Sequence, residues 1–116
     1  MNASSRKALL VAGFLLAWVP VGHGGEIHDA AEKGDLRKVE ALLAADASLV
    51  KQEGHDYTTP LHWAAIFNHK AVVELLPANK ADVNARDKHN ETPLHKAGQN
   101  GHGDVAAVLR RHGARQ

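Results

Sequence analysis

The feature that most constrains this chain is a return. Thr59-Pro60-Leu61-His62-Trp63-Ala64-Ala65 comes back as Thr92-Pro93-Leu94-His95-Lys96-Ala97-Gly98, the two copies starting 33 residues apart. The residues after each copy match as well: Asn68-His69 with Gly101-His102, Val72-Val73 with Val105-Ala106, and Leu75-Leu76 with Val108-Leu109. A fixed period of this length implies a row of similar units, each too small to bury its own apolar face and stable only when stacked.

The local chemistry of one copy says what the unit is. Thr59 can cap a helix with its hydroxyl, and Pro60 suits the first helical position, where its missing N–H costs nothing. Leu61, Ala64 and Ala65 then fall at i, i+3 and i+4 on one narrow apolar face, with alanines small enough to let another helix approach. After the Asn68-His69 turn, Val72, Val73, Leu75 and Leu76 give a second helix its own apolar side. Each unit reads as a short helical hairpin, and the fold class as all-α.

Thr-Pro-Leu-His with a later Val/Leu run, repeated at this period, resembles the ankyrin repeat. The resemblance covers most of the chain after its first 24 residues and implies a solenoid of about three repeats, over roughly 26–56, 57–89 and 90–116, joined by short hairpin-like fingers. In the first, Ile27-His28-Asp29-Ala30-Ala31 aligns with Leu61 to Ala65 at an offset of 34. Asp29 and Lys96 stand where the middle repeat has Trp63, and polar residues there suit end units with no neighbour to cover them. The resemblance also implies that His62 and His95 bond the hydroxyls of Thr59 and Thr92 and a backbone group of the adjacent repeat, while Trp63 faces a neighbouring helix. Thr59 to Trp63 and Thr92 to His95 are thus structural positions.

Two departures from the pattern carry expectations. Tyr57 stands where the family has glycine in a left-handed conformation, so Gly54 is expected to absorb that turn; Asn90, at the same place one repeat later, tolerates it. Pro77 lacks the N–H that would bond the Val73 carbonyl and restricts Leu76, so the second helix of the middle repeat is expected to stop near Leu76.

Composition matters most at the N-terminus. Arg6-Lys7, an apolar run from Ala8 to Val19, then Pro20 and Gly22-His23-Gly24 read as a secretory signal peptide over residues 1–24, cleaved after Gly24. The run is 12 residues against the roughly 20 that span a bilayer; an anchor kept uncleaved is the alternative that Phe14, Leu15, Leu16 and Trp18 leave open. This places the protein in the periplasm or secreted space, with no membrane span after cleavage. The remaining chain holds 12 basic against 13 acidic residues, well interspersed, so no basic stripe points to nucleic acid. The absence of cysteine excludes disulfides and a thiol nucleophile.

Catalysis finds no support. Ser48 is the only serine beyond the leader and sits in no nucleophile elbow, and Gly101-His102-Gly103 is preceded by no strand and makes no phosphate cradle. Nine histidines invite a metal or haem reading, which would draw on His55 and His89 across two fingers, but no H-x-x-x-H pair occurs. No cofactor is expected. The resemblance instead implies a protein-binding module, expected as a monomer or in complex with its partner, with an inhibitor or immunity-type binder of a co-localised protein as one form. Its contact positions carry over to Glu32 and Lys33 in the first repeat, His55, Asp56, Thr58, Ile66 and Phe67 in the second, and Lys88, His89, Glu91, Gln99 and Asn100 in the third. Ile66 and Phe67, large and apolar where stacking does not need them, are expected at the centre.

Overall fold

The computed structural model describes residues 25–115; the signal-peptide reading falls on residues outside these. Among these residues six α-helices succeed one another: α1 Glu26–Lys33, α2 Leu36–Ala45, α3 Pro60–Ile66, α4 Lys70–Ala78, α5 Pro93–Gln99 and α6 Gly103–Arg111. They form three antiparallel pairs. The first helices of the pairs stack as α1 on α3 on α5, and α4 packs between α2 and α6 behind them. No strand occurs among the described residues.

The same local devices recur in each unit. Thr59 Oγ1 accepts the His62 N–H at 3.3 Å, and Thr92 Oγ1 the His95 N–H at 3.2 Å, capping α3 and α5 ahead of their first-position prolines. The turn between paired helices needs one left-handed residue. Gly34, Asn68 and Gly101 supply it, at φ 73°, 64° and 72°. Glycine takes that conformation without strain, and asparagine is among the residues that tolerate it best.

The core is aliphatic throughout. Ile27, Val39, Leu61, Val72, Val73, Leu76, Leu94, Val105, Val108 and Leu109 are almost wholly buried, and Ala31, Ala64, Ala65 and Ala97 fill the narrow contact between first helices. Among the described residues no Phe, Tyr or Trp belongs to it, though Trp63 packs against its edge.

Histidines fasten the units together. His28 Nε2 reaches the carbonyls of Gln52 at 3.0 Å and Thr58 at 3.1 Å, and His62 Nε2 the Glu91 carbonyl at 2.8 Å. At the opposite ends of the helices, His69 Nε2 bonds the Glu32 carbonyl at 2.7 Å and His102 Nε2 the Ile66 carbonyl at 2.9 Å. Only the His62 type of bond is implied by the resemblance; the turn histidines do the same work from the other end. His95 departs from its expected role. It is exposed, because no described repeat lies beyond it to offer a carbonyl, and its ring lies 3.7 Å from the Glu91 carboxylate instead.

The expectations at Pro77 and Tyr57 are both corrected. α4 runs on through Pro77 to Ala78. Proline's fixed φ is itself helical, and only the bond to the Val73 carbonyl is forgone in a last turn closed by Asn79, Lys80 and Ala81 N–H groups on Leu75, Leu76 and Pro77 carbonyls. In the first finger, Tyr57 itself takes the left-handed conformation at φ 60°, as does Asp56 beside it, while Gly54 stays at φ −100°. The closure explains why: Gly54 N–H bonds the Thr58 carbonyl at 2.9 Å, as Asp87 N–H bonds Glu91 in the second finger at 3.0 Å, so the reversal must fall between those residues.

Candidate functional site

The two fingers lean together over the first helices. Lys88 N–H donates to the Asp56 carbonyl at 2.8 Å, and Lys88 Nζ lies 3.5 Å from Asp56 Oδ1. Beneath them is a cleft of about 360 Å³, walled by His55, Asp56, Thr58, Asp87 and His89 of the fingers and floored by Trp63, Ile66 and Lys96 of α3 and α5. Trp63 is thus only partly buried against the core. Its position, like that of Lys96, looks under the fingers rather than into a neighbouring helix, so the polar exchange at Lys96 changes the cleft floor and not an end face. Phe67, 44% exposed, stacks on Trp63 with planes 8° apart and centroids 6.1 Å apart.

Lys96 is held by two carboxylates, Glu91 at 2.5 Å and Asp87 at 3.3 Å. Gln99 Nε2 donates to the other Glu91 oxygen at 3.1 Å, and the Asp87 carboxylate also accepts the His89 and Glu91 N–H groups at 2.9 Å each. Burial pulls the Lys96 ammonium down, but its bonds to Glu91 and Asp87 outweigh this and hold it above the ordinary lysine value. The Lys96 hydrogen bond holds Glu91 below the usual carboxylate range. Asp87 is pushed up by burial, yet the Glu91 N–H and Lys96 bring it below its ordinary value. All three groups are therefore charged at neutral pH.

The structure sorts the predicted contact positions. His55, Asp56, Ile66 and His89 meet at the cleft, with Lys88 at its rim and Phe67 alongside. Thr58 is only 9% exposed, its carbonyl taken by His28, so it is a wall and not a projecting contact. Glu91 is engaged by both Lys96 and Gln99, and the Asn100 side-chain amide donates to the Lys96 carbonyl at 2.8 Å. Glu32 is half-buried and Lys33 exposed at the end of α1. Sequence reasoning missed Trp63 as a partly exposed residue of the cleft floor, and Asp87 and Lys96 as a charged pair joining its wall to its floor. The Trp63-to-Lys96 exchange at one repeat position was the signal available. Among the described residues, no three His, Asp or Glu side chains are grouped as a metal site would require.

A stack of helical hairpins bearing fingers over a part-aromatic cleft defines a repeat protein built for recognition. The chain belongs to the ankyrin-repeat family: the family's profile, ankyrin repeats in three copies, matches residues 27–116. Ankyrin repeats are a non-catalytic fold that binds other proteins. The chain is 35% identical over 86 residues to a transient receptor potential cation channel subfamily A member 1 homolog of Caenorhabditis elegans, covering 72% of this chain and 7% of the channel. It is 36% identical over 87 residues to the E3 ubiquitin-protein ligase XBAT33 of Arabidopsis thaliana, covering 74% of this chain and 17% of the ligase. To the palmitoyltransferase AKR1 of Saccharomyces cerevisiae it is 39% identical over 61 residues, covering 51% and 8%. It thus spans a small fraction of each of these relatives.

Proposed function

We propose that this protein binds another protein across the face beneath its fingers, in the periplasm or secreted space, and that inhibition of a co-localised protein is the form this takes. One observation carries the binding face. Every aromatic side chain among the described residues lies outside the core and on or beside the middle repeat: Tyr57 is 60% exposed, Phe67 44%, and Trp63 partly buried. Aromatic rings are the largest apolar groups a small domain could bury, and they are enriched at the centres of interfaces. A core assembled only from aliphatic residues while the rings stand outside is arranged for a partner. The export reading is supported by the basic start, short apolar run and Gly22-His23-Gly24.

The test pairs capture with stability. Ile66→Ser with Phe67→Ser should abolish capture of the wild-type partner from an envelope fraction, a loss above about 2 kcal/mol, while the urea midpoint shows the domain still folded. Equal capture by the folded double variant would remove this face from the function. N-terminal sequencing of the native protein should begin at Gly25; a chain that keeps Met1 and stays in the cytosol would overturn the export reading.

A further inference from the structure

Of the eight side chains lining the cleft, five ionise: His55, Asp56, Asp87, His89 and Lys96. Trp63 and Ile66 are its only large apolar surfaces. An aliphatic plug from a partner would strip water from the Asp56 side chain, which keeps 56% of its surface, and from both imidazoles, while offering them no hydrogen bond in return. Charge is also unevenly matched. Lys88 answers Asp56 one for one, but Lys96 faces both Asp87 and Glu91. With neutral imidazoles, three carboxylates stand against two ammonium groups, and the cleft with its rim carries one net negative charge.

We infer that the cleft receives a basic side chain of the partner, an arginine, with its stem along Ile66 and Trp63 and its guanidinium at Asp56. Arginine fits this surface better than lysine. Its planar, weakly hydrated head stacks on an aromatic ring and still meets a carboxylate edge-on, whereas an ammonium must give up more water. Asp56 is the reachable carboxylate, because the Asp87 side chain is only 4% exposed and Glu91 is engaged by Lys96 and Gln99. The Asp56–Lys88 pair sits at the rim, where an incoming guanidinium competes with Lys88 for Asp56. The inference rests on the reading that the partner meets the face beneath the fingers.

Three capped Gly-Ser heptapeptides, with a central Arg, Leu or Glu, are titrated to millimolar concentration into the purified protein, following the Trp63 indole N–H by NMR. The Arg peptide should move it, less so as salt is added, and the Glu peptide should not. Asp56→Asn should weaken the Arg peptide about fivefold, the size of one exposed charge pair. Lys88→Ala, which frees Asp56, should tighten it by a similar factor. Both positions are exposed, and a urea melt of each variant verifies folding. A Leu peptide that moves the indole while the Arg peptide does not overturns the inference and leaves the binding face standing. So does silence from all three peptides alongside a captured partner that is lost in the Ile66/Phe67 double variant. An unchanged Arg response in Asp56→Asn likewise overturns it.

Discussion

His62 and His95 occupy the same position of successive repeats, and the structure gives them opposite energetic weights. His62 is fully buried and serves three groups: its Nε2–H donates to the Glu91 carbonyl at 2.8 Å, and Nδ1 accepts from Thr59 N–H at 3.2 Å and the Thr59 hydroxyl at 2.9 Å. Alanine there leaves these groups buried and short of a partner, at about 1 kcal/mol or more each, and opens a void where the ring stood. The cost of His62→Ala is therefore about 3–4 kcal/mol, out of a total of about 5–14 kcal/mol for a domain of some 90 residues. His95→Ala removes an exposed ring whose nearest partner is a carboxylate at 3.7 Å, and should cost less than about 0.5 kcal/mol. In urea, with a slope of about 1.5 kcal/mol per molar, His62→Ala should lower the midpoint by about 2 M and His95→Ala by no more than a few tenths. Comparable shifts in the two variants would refute the reasoning, because the histidines would then act through something other than the junction to the next repeat.

Three further predictions use the same melts. Burial holds the His62 imidazole below its ordinary value, against the pull of the Glu91 carbonyl and Asp87, so its contribution is complete above about pH 6.5 and is lost as pH falls through the lower folded-state value; the gap between wild type and His62→Ala should narrow on acidification, and a constant gap from pH 8 to 5 would contradict it. Gly98 lies in α5 with open space where a Cβ would stand, so Gly98→Ala should stabilise by about 0.5–1 kcal/mol, and a loss would mean the end face is covered. Tyr57→Gly should relieve a left-handed tyrosine and stabilise by up to about 1 kcal/mol, whereas Asn90→Gly should change little; equal effects would show that Tyr57 is not strained.

The stack is legible in the sequence because its determinants are local and repeated. Thr59 and Thr92 as caps, the prolines after them, and the alanine and leucine spacing each depend on residues within one turn of one another. Pro77 misleads because proline's general cost to a helix says nothing of how little helix lies beyond it. Tyr57 misleads because the finger's closing bond, Gly54 to Thr58, fixes where the chain reverses regardless of which residue stands there. The cleft is legible only in part. His55, Ile66 and His89 can be placed by repeat position, but the Lys96–Asp87–Glu91 cluster depends on side chains of a finger and a helix meeting in space. Nothing in the period of the repeat records that meeting.

Each junction between repeats is held at two separated points, by one histidine at the finger end of the helices and another at the turn end. A single pin would let one unit swivel on the next; two pins set apart along the same seam resist rotation as well as separation. The tilt from repeat to repeat, and with it the spacing of the fingers, is then set before any partner arrives. A surface of fixed spacing discriminates by refusing what does not match its length, and little of the energy of association is consumed in shaping it.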